Sequence, residues 1–217
     1  MFERIVAMAI GISAVQAAWA ASPEDEKTAQ AVVDLMVKVN RYQREHPWRE
    51  TDRGWIRATY YTGVMGLYRT TKDPAVLEQA LAWANKHGWQ AGRESHLVNA
   101  NTCGQTWLEL YFLDPQPKRI KHARAYADKR IAQVAAGEAI QKGWDYVDTL
   151  YVGPPTCAML GKATGEKKYY DYMHQTYWEV VDHLFDKEYG LFYRDKKYFD
   201  AKTDSGKKVF WSQGNEP

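Results

Sequence analysis

Three times along this chain an apolar helical stretch runs into a leucine, crosses a polar turn and enters a second helical stretch. The joints are Leu67–Pro74 (LYRTTKDP), Leu110–Pro117 (LYFLDPQP) and Leu160–Lys167 (LGKATGEK). The leucines lie 43 and 50 residues apart, which suits one helical hairpin per repeat. Superposing them aligns Leu77, Ile120 and Tyr170 ten residues on, and Ala80, Ala123 and Met173 thirteen on. A hairpin cannot bury its apolar face alone, so such units stack in a solenoid or close into a toroid. Closure is favoured here because the expected inner helices are rich in Gly, Ala and Tyr rather than capped by a polar face.

Apolar residues at helical spacing predict helices from Glu24 to about Arg44, Trp55 to Arg69, Pro74 to His87 and Asn101 to Phe112. Three more follow, from Pro117 to Ala136, Asp148 to Gly161 and Lys167 to Phe185. Beyond Tyr189 the β-prone pieces Gly190–Arg194 and Lys208–Trp211 are separated by the turn residues Asp204, Ser205 and Gly206. The expected fold is therefore all-α, an (α/α)6 toroid of helical hairpins with a short β-hairpin region near the C-terminus. Six hairpins of about 45 residues need on the order of 270, whereas 197 follow Ala20. The toroid is accordingly expected to be incomplete in this chain, and the sequence a fragment or a truncated product.

The first twenty residues read as a leader. Arg4 supplies a positive start, Ile5 to Ala18 is almost wholly apolar, and Ala18-Trp19-Ala20 has the small residues that signal peptidase requires. The acidic stretch Ser22 to Glu26 follows with no basic stop-transfer cluster, which argues against an anchor. The expected organisation is a signal peptide over 1–20 and a partial (α/α)6 domain over 21–217, secreted or periplasmic, with no membrane association after cleavage. With 29 Lys+Arg against 27 Asp+Glu, the chain has no basic field to draw nucleic acid. Cys103 and Cys157 stand in no zinc-ligand spacing and sit in apolar helical stretches, where free thiols are common. The aromatic excess, 9 Trp and 15 Tyr, suits a carbohydrate cleft and an ordinary core equally well.

The alignment also states which residues share a rim. Twelve positions before the three leucines lie Trp55, Val98 and Asp148, so the starts of three inner helices should converge at one mouth. Asp148 is the chemical candidate, within Trp144–Pro155 (WDYVDTLYVGPP). A carboxylate ahead of a helix has two readings: it performs chemistry, or it caps the helix by accepting backbone N–H bonds.

That segment resembles the WxxxDxLYMxxP stretch of the unsaturated glucuronyl and rhamnogalacturonyl hydrolases, glycoside hydrolase families 88 and 105. Gly104–Tyr111 (GQTWLELY), Thr164–Met173 (TGEKKYYDYM), Gly190–Asp195 (GLFYRD) and Gly206–Ser212 (GKKVFWS) resemble family 105 segments in the same order. The resemblance covers roughly residue 30 to the end. It implies an (α/α)6 toroid and an unsaturated uronic-acid oligosaccharide as substrate. It also implies Asp148 as general acid/base, in a reaction requiring neither metal nor organic cofactor. Trp144, Tyr151 and Trp211 are candidate sugar platforms, with His87, His96 and Lys142 as further polar candidates.

Two segments depart from the family pattern. Asn99 and Asn101 stand where a second acid is common, and can hydrogen-bond sugar hydroxyls without sharing charge. Gln213 replaces an arginine able to pair with a uronate. A non-catalytic helical-repeat module binding oligosaccharide or protein is the alternative. A lyase or endoglucanase-type hydrolase on the same architecture is a third reading.

Overall fold

The computed structural model describes residues 23–48, 52–92, 97–140, 142–210 and 215. The expected signal peptide lies outside them. The chain divides into one unit ending at Pro47 and a second beginning at Trp48. The first contains helix α1 (Pro23–Glu45), opened by Glu24, Asp25 and Glu26 and closed with Arg44 in its last turn. Both charge placements favour the helix dipole. Among the described residues no helix is long and apolar enough to cross a membrane.

The second unit is built from hairpins. Helices α2 (Trp55–Thr71) and α3 (Pro74–Lys86) form the first. Lys72 closes α2 in the left-handed conformation, and the Asp73 carboxylate accepts from the Ala75 N–H at 2.8 Å to start α3. A short helix α4 (Leu97–Ala100) precedes α5 (Gly104–Leu113), which pairs with α6 (Pro117–Ala135). A second short helix, α7 (Thr149–Val152), precedes α8 (Pro154–Thr164), which pairs with α9 (Lys168–Leu184).

Of the expected helices, one starts later than predicted and another is split in two. The Asn101–Phe112 stretch begins with a turn, where Asn101 and Thr102 bond back to Val98 and Asn99, and the helix proper starts at Gly104. The Asp148–Gly161 stretch breaks at Gly153. Pro154 and Pro155 lack the N–H groups that would continue the helix, but fit the first turn of a new one.

The inner helices α2, α5 and α8 lie side by side with α5 central, and α3, α6 and α9 pack against them. Flanked on both sides, α5 buries six of its ten residues, polar Gln105 and Thr106 among them. The three repeat leucines are core: Leu67 is 2% exposed, Leu110 and Leu160 0%. In the third hairpin the buried outer-helix positions fall one residue earlier than the alignment places them, at Tyr169 and Tyr172 rather than Tyr170 and Met173. Tyr170 instead lays its ring over Gly161, where any Cβ would come within 2.4 Å of it.

Part of the aromatic excess forms an interior cluster. Trp83 stacks on Tyr61 at 3.9 Å with planes 2° apart and meets Trp107, which in turn meets Trp89. All four rings are buried.

The C-terminal β region pairs differently from the expectation. β1 (Phe185–Asp186) and β2 (Leu191–Phe192) are antiparallel, Phe185 opposite Phe192, across a turn closed by Gly190 at φ 66°. β2 thus pairs backward in the chain, not with the Lys208 segment. That segment folds on itself instead, with a bridge between Lys202 and Lys208 around Gly206. Asp186 decides this, because its carboxylate accepts from Glu188 N, Tyr189 N, the Tyr193 hydroxyl and Lys208 Nζ at 2.6 to 3.1 Å. Asn215 clips the strand by giving one bond to, and accepting one from, the Phe192 backbone.

Candidate functional site

The starts of the inner helices meet at one rim. Arg53, just ahead of α2, donates to the Ala91 carbonyl at 2.6 Å and to Gln90 Oε1 at 3.2 Å. The Gln90 carbonyl accepts from Trp107 Nε1 at 3.2 Å, and Gly92 N reaches the Ala100 carbonyl at the end of α4. Helix α4 packs on α7. Buried Gln105 donates to the Val152 carbonyl at 3.1 Å, lacing α5 to the end of α7. At the other ends, Arg69 bonds Glu109, and Lys162 sits 5.0 Å from the Phe112 ring. The three inner helices therefore run in one direction, as the repeat alignment requires.

Asp148 occupies the cap position of α7. Its backbone carbonyl accepts from Tyr151 N and Val152 N, but its side chain makes no capping bond to the helix. Its backbone is helical (φ −65°, ψ −16°) rather than extended, and a capping side chain needs the extended form to fold back over the first turn. Capping is thus not what the half-buried carboxyl of Asp148 does.

Three features hold the loop that carries it. Val147 N donates to the Arg194 carbonyl at 2.9 Å, fastening the loop to the segment after β2. The Arg194 guanidinium lies 4.8 Å over the Tyr146 ring. Upstream, buried Arg130 pairs with Glu138 and donates to the carbonyls of Ala139 and Ile140 at 2.8 and 3.2 Å.

Trp144 is corrected from platform to core. It is 1% exposed, donates from Nε1 to the Tyr172 hydroxyl at 3.0 Å, and lies against Gly153, leaving no face for a sugar. Burial pushes the Tyr172 phenol and the neighbouring Cys157 thiol each up to about 12. Cys157 and Cys103 are both buried and not joined in a disulfide, in keeping with their apolar settings.

Asn101 is likewise interior, its Nδ2 donating to the Ala123 carbonyl at 3.5 Å, and its Oδ1 packed where Gly104 leaves no room for a side chain. It cannot reach a sugar from there, so the pair of candidate asparagines reduces to Asn99, half-buried on α4 beside α7. Tyr151, 57% exposed on α7, keeps an aromatic face at the rim. Lys142 is engaged by Glu138 at 3.2 Å, and that bond, with the Arg130 pair, holds the Glu138 carboxyl below its usual range. His87 packs edge-on to Trp83. Trp211, Gln213 and His96 lie outside the described residues. Among the described residues, no three His, Cys, Asp or Glu side chains gather as a metal would need.

Sequence reasoning missed Gln105 and Arg194. The signal for Gln105 was a polar residue inside a helical stretch otherwise free to be apolar. Arg194 gave none, since its partner Tyr146 is remote in sequence.

The comparisons with known proteins agree with this framework. A curated unsaturated 3S-rhamnoglycuronyl hydrolase of Alteromonas sp. (strain LOR) is 45% identical over 184 residues, covering 76% of this chain and 45% of that protein. Among solved structures, a glycosyl hydrolase family 88 protein from Bacteroides vulgatus superposes with a TM-score of 0.77 at 26% identity, covering 86% of this chain and 57% of that one. A protein described as a polysaccharide lyase gives 0.76 at 30% identity, over 87% and 57%. The solved neighbours include helical toroids, so the hairpin rows seen here are toroid walls. The chain spans about half the length of the curated relatives it matches. The family model for Glycosyl Hydrolase Family 88 matches residues 26–216, nearly the whole chain, and by that match the protein belongs to glycosyl hydrolase family 88.

Proposed function

We propose that this chain carries the acid/base rim of an exported hydrolase acting on unsaturated uronyl oligosaccharides, the products that polysaccharide lyases leave. The observation carrying this reading is Asp148: a half-buried carboxyl at the mouth of the inner helices, not spent on capping α7, with exposed Tyr151 one turn away. The name of the Alteromonas relative supports the substrate class.

The chemistry is hydration of an enol ether. The Asp148 carboxyl gives its proton to C4 of the C4=C5 double bond, whose π electrons form the new C–H bond. C5 becomes an oxocarbenium centre stabilised by the ring oxygen. Water adds to C5 and returns a proton to the Asp148 carboxylate. The hemiketal opens to a ketone at C5, and the hemiacetal left at C1 collapses to an aldehyde, releasing the remaining sugar as an alcohol. A single carboxyl that partial burial can tune suffices for both proton transfers. The pair of carboxylates flanking an anomeric carbon in ordinary glycoside hydrolysis is not demanded. A half-buried Asn99 near the rim can orient hydroxyls but cannot share charge with Asp148 as a second acid would.

The test is the ultraviolet absorbance of the conjugated double bond. The protein should consume it, and Asp148→Asn should slow consumption at least ~100-fold, the contribution of a positioned general acid. A folded Asp148→Asn protein with full activity sinks the assignment. A lyase would raise the absorbance instead of lowering it, and a binding module would leave it unchanged.

A further inference from the structure

Asp148 stands at the cap of α7, a helix of only four residues. One helical turn is not stable by itself, so the place of the carboxyl depends on what holds α7 from outside. The start of the segment is fastened where Val147 N donates to the Arg194 carbonyl. Its end has no continuation to lean on, because the chain breaks at Gly153 and neither Pro154 nor Pro155 has an N–H to offer the carbonyls of the last turn.

Gln105 takes up that end. It is the second residue of α5, the central inner helix, and its Nε2 donates to the Val152 carbonyl at 3.1 Å. Val152 in turn donates its N–H to the Asp148 carbonyl at 3.1 Å, so two bonds join the Gln105 side chain to the peptide of Asp148. Gln105 is 6% exposed and Val152 5%, so the bond is shielded from water and its loss leaves a buried carbonyl unpaired. The base is firm as well, since Gly104, Thr106, Trp107 and Leu108 around it are all buried. An apolar side chain would fill this core position without the cost of burying an amide, so the amide has a task there.

We propose that Gln105 is a positioning residue for the acid/base: by fixing the end of α7 it sets the distance between the Asp148 carboxyl and the carbon that carboxyl protonates. This rests on the hydrolase reading above. Buried in the core, Gln105 has no face for a sugar and acts through Asp148. Misplacing a reacting group by about 1 Å costs on the order of 100-fold in rate. Substrate binding does not need the proton donor in line, so the effect belongs in kcat and not in KM.

The experiment measures kcat, KM and Tm for the full chain, Gln105→Met, Gln105→Glu and Val76→Ala on an unsaturated uronyl disaccharide. Gln105→Met keeps the length of the side chain and removes the donor, so it should lower kcat ~10–100-fold with KM within about 3-fold. In an Asp148→Asn background the same substitution should change the residual rate less than about 2-fold, because no acid is left to place. Gln105→Glu at neutral pH turns a carboxylate oxygen toward the Val152 carbonyl. Protonation restores a donor, so the kcat of that variant relative to the parent should rise as pH falls from ~8 to ~5. Val76→Ala, which removes buried apolar volume from α3, should lower Tm and leave kcat unchanged.

Three results overturn the assignment and leave the hydrolase reading standing. They are a folded Gln105→Met protein with the parent's kcat, an equal loss in the Asp148→Asn background, and a Val76→Ala protein that loses as much kcat for the same drop in Tm. If Gln105→Met does not fold, Gln105→Glu decides on the same terms across the pH range, and if neither folds the bond serves the fold and the assignment falls. A parent that does not consume the double bond, or a fully active Asp148→Asn protein, overturns the hydrolase reading and this assignment with it.

Discussion

Replacing Gly153 by alanine sets two effects of opposite sign against each other. Gly153 has a helical backbone (φ −83°, ψ −54°), so alanine fits its conformation and should gain ~0.5–1 kcal/mol over glycine. Against that, the new Cβ would lie 2.4, 2.6 and 3.0 Å from Cη2, Cζ2 and Cζ3 of Trp144. Carbon pairs settle near ~3.5–4.0 Å, so the ring or the helix must move by about 1 Å. Trp144 has nowhere to go, being 1% exposed and held by the Tyr172 hydroxyl. Overpacking of this kind costs ~1–3 kcal/mol, and straining the Trp144–Tyr172 bond adds ~1 kcal/mol.

The clash wins by about 2 kcal/mol, and for a chain of this size Tm should fall by about 6 °C. Thermal unfolding followed by far-ultraviolet circular dichroism measures it. The control is Trp144→Phe, which removes the outer ring atoms that the Cβ would meet. In that background Gly153→Ala should cost nothing or stabilise slightly, a coupling of ~2 kcal/mol between the two positions. An equal cost in both backgrounds, or none in the parent, refutes the argument that Gly153 exists to admit the Trp144 ring.

Two further outcomes are expected. The Asp186 carboxyl is held well below the usual carboxylate range, chiefly by Lys208 and then by Tyr193. A carboxyl depressed on folding stabilises above its unfolded pKa and loses that contribution as pH falls. Parent Tm should therefore drop from neutral pH toward pH ~3, while Asp186→Asn starts lower and falls less; parallel curves count against the cluster. We also propose export with cleavage after Ala20, so N-terminal sequencing of protein secreted through a Sec-competent host should begin at Ala21, and an intact Met1 in that fraction would reject it.

The hairpin repeat was legible from residues 55 to 184 because its signals are local. Pro74 and Pro117 mark helix starts, polar turns mark the joints, and period 3.6 puts Leu67, Leu110 and Leu160 on core faces. The rim followed from counting back from those leucines, which brought the starts of α2, α4 and α7 together before any coordinate did. Asp148 was also visible in the sequence, as an acid ahead of a helix in a segment resembling a known family.

Only the tertiary structure decided what each aromatic and polar residue at that rim faces. Trp144 and Tyr151 lie in the same segment and look equally fit to hold a sugar, yet one is sealed against Gly153 and Tyr172 while the other is exposed. Asn99 and Asn101 differ in the same way. Periodicity fixes which side of a helix is apolar, but not which neighbour covers it, and at a rim the chain leaves its period for turns and four-residue helices. Likewise Asp186, not strand propensity, chose the partner of β2. Arg194 came to Tyr146 across a separation no local pattern spans. The sequence determined the hairpins and their direction; the packing between them determined which side chains remain at the mouth.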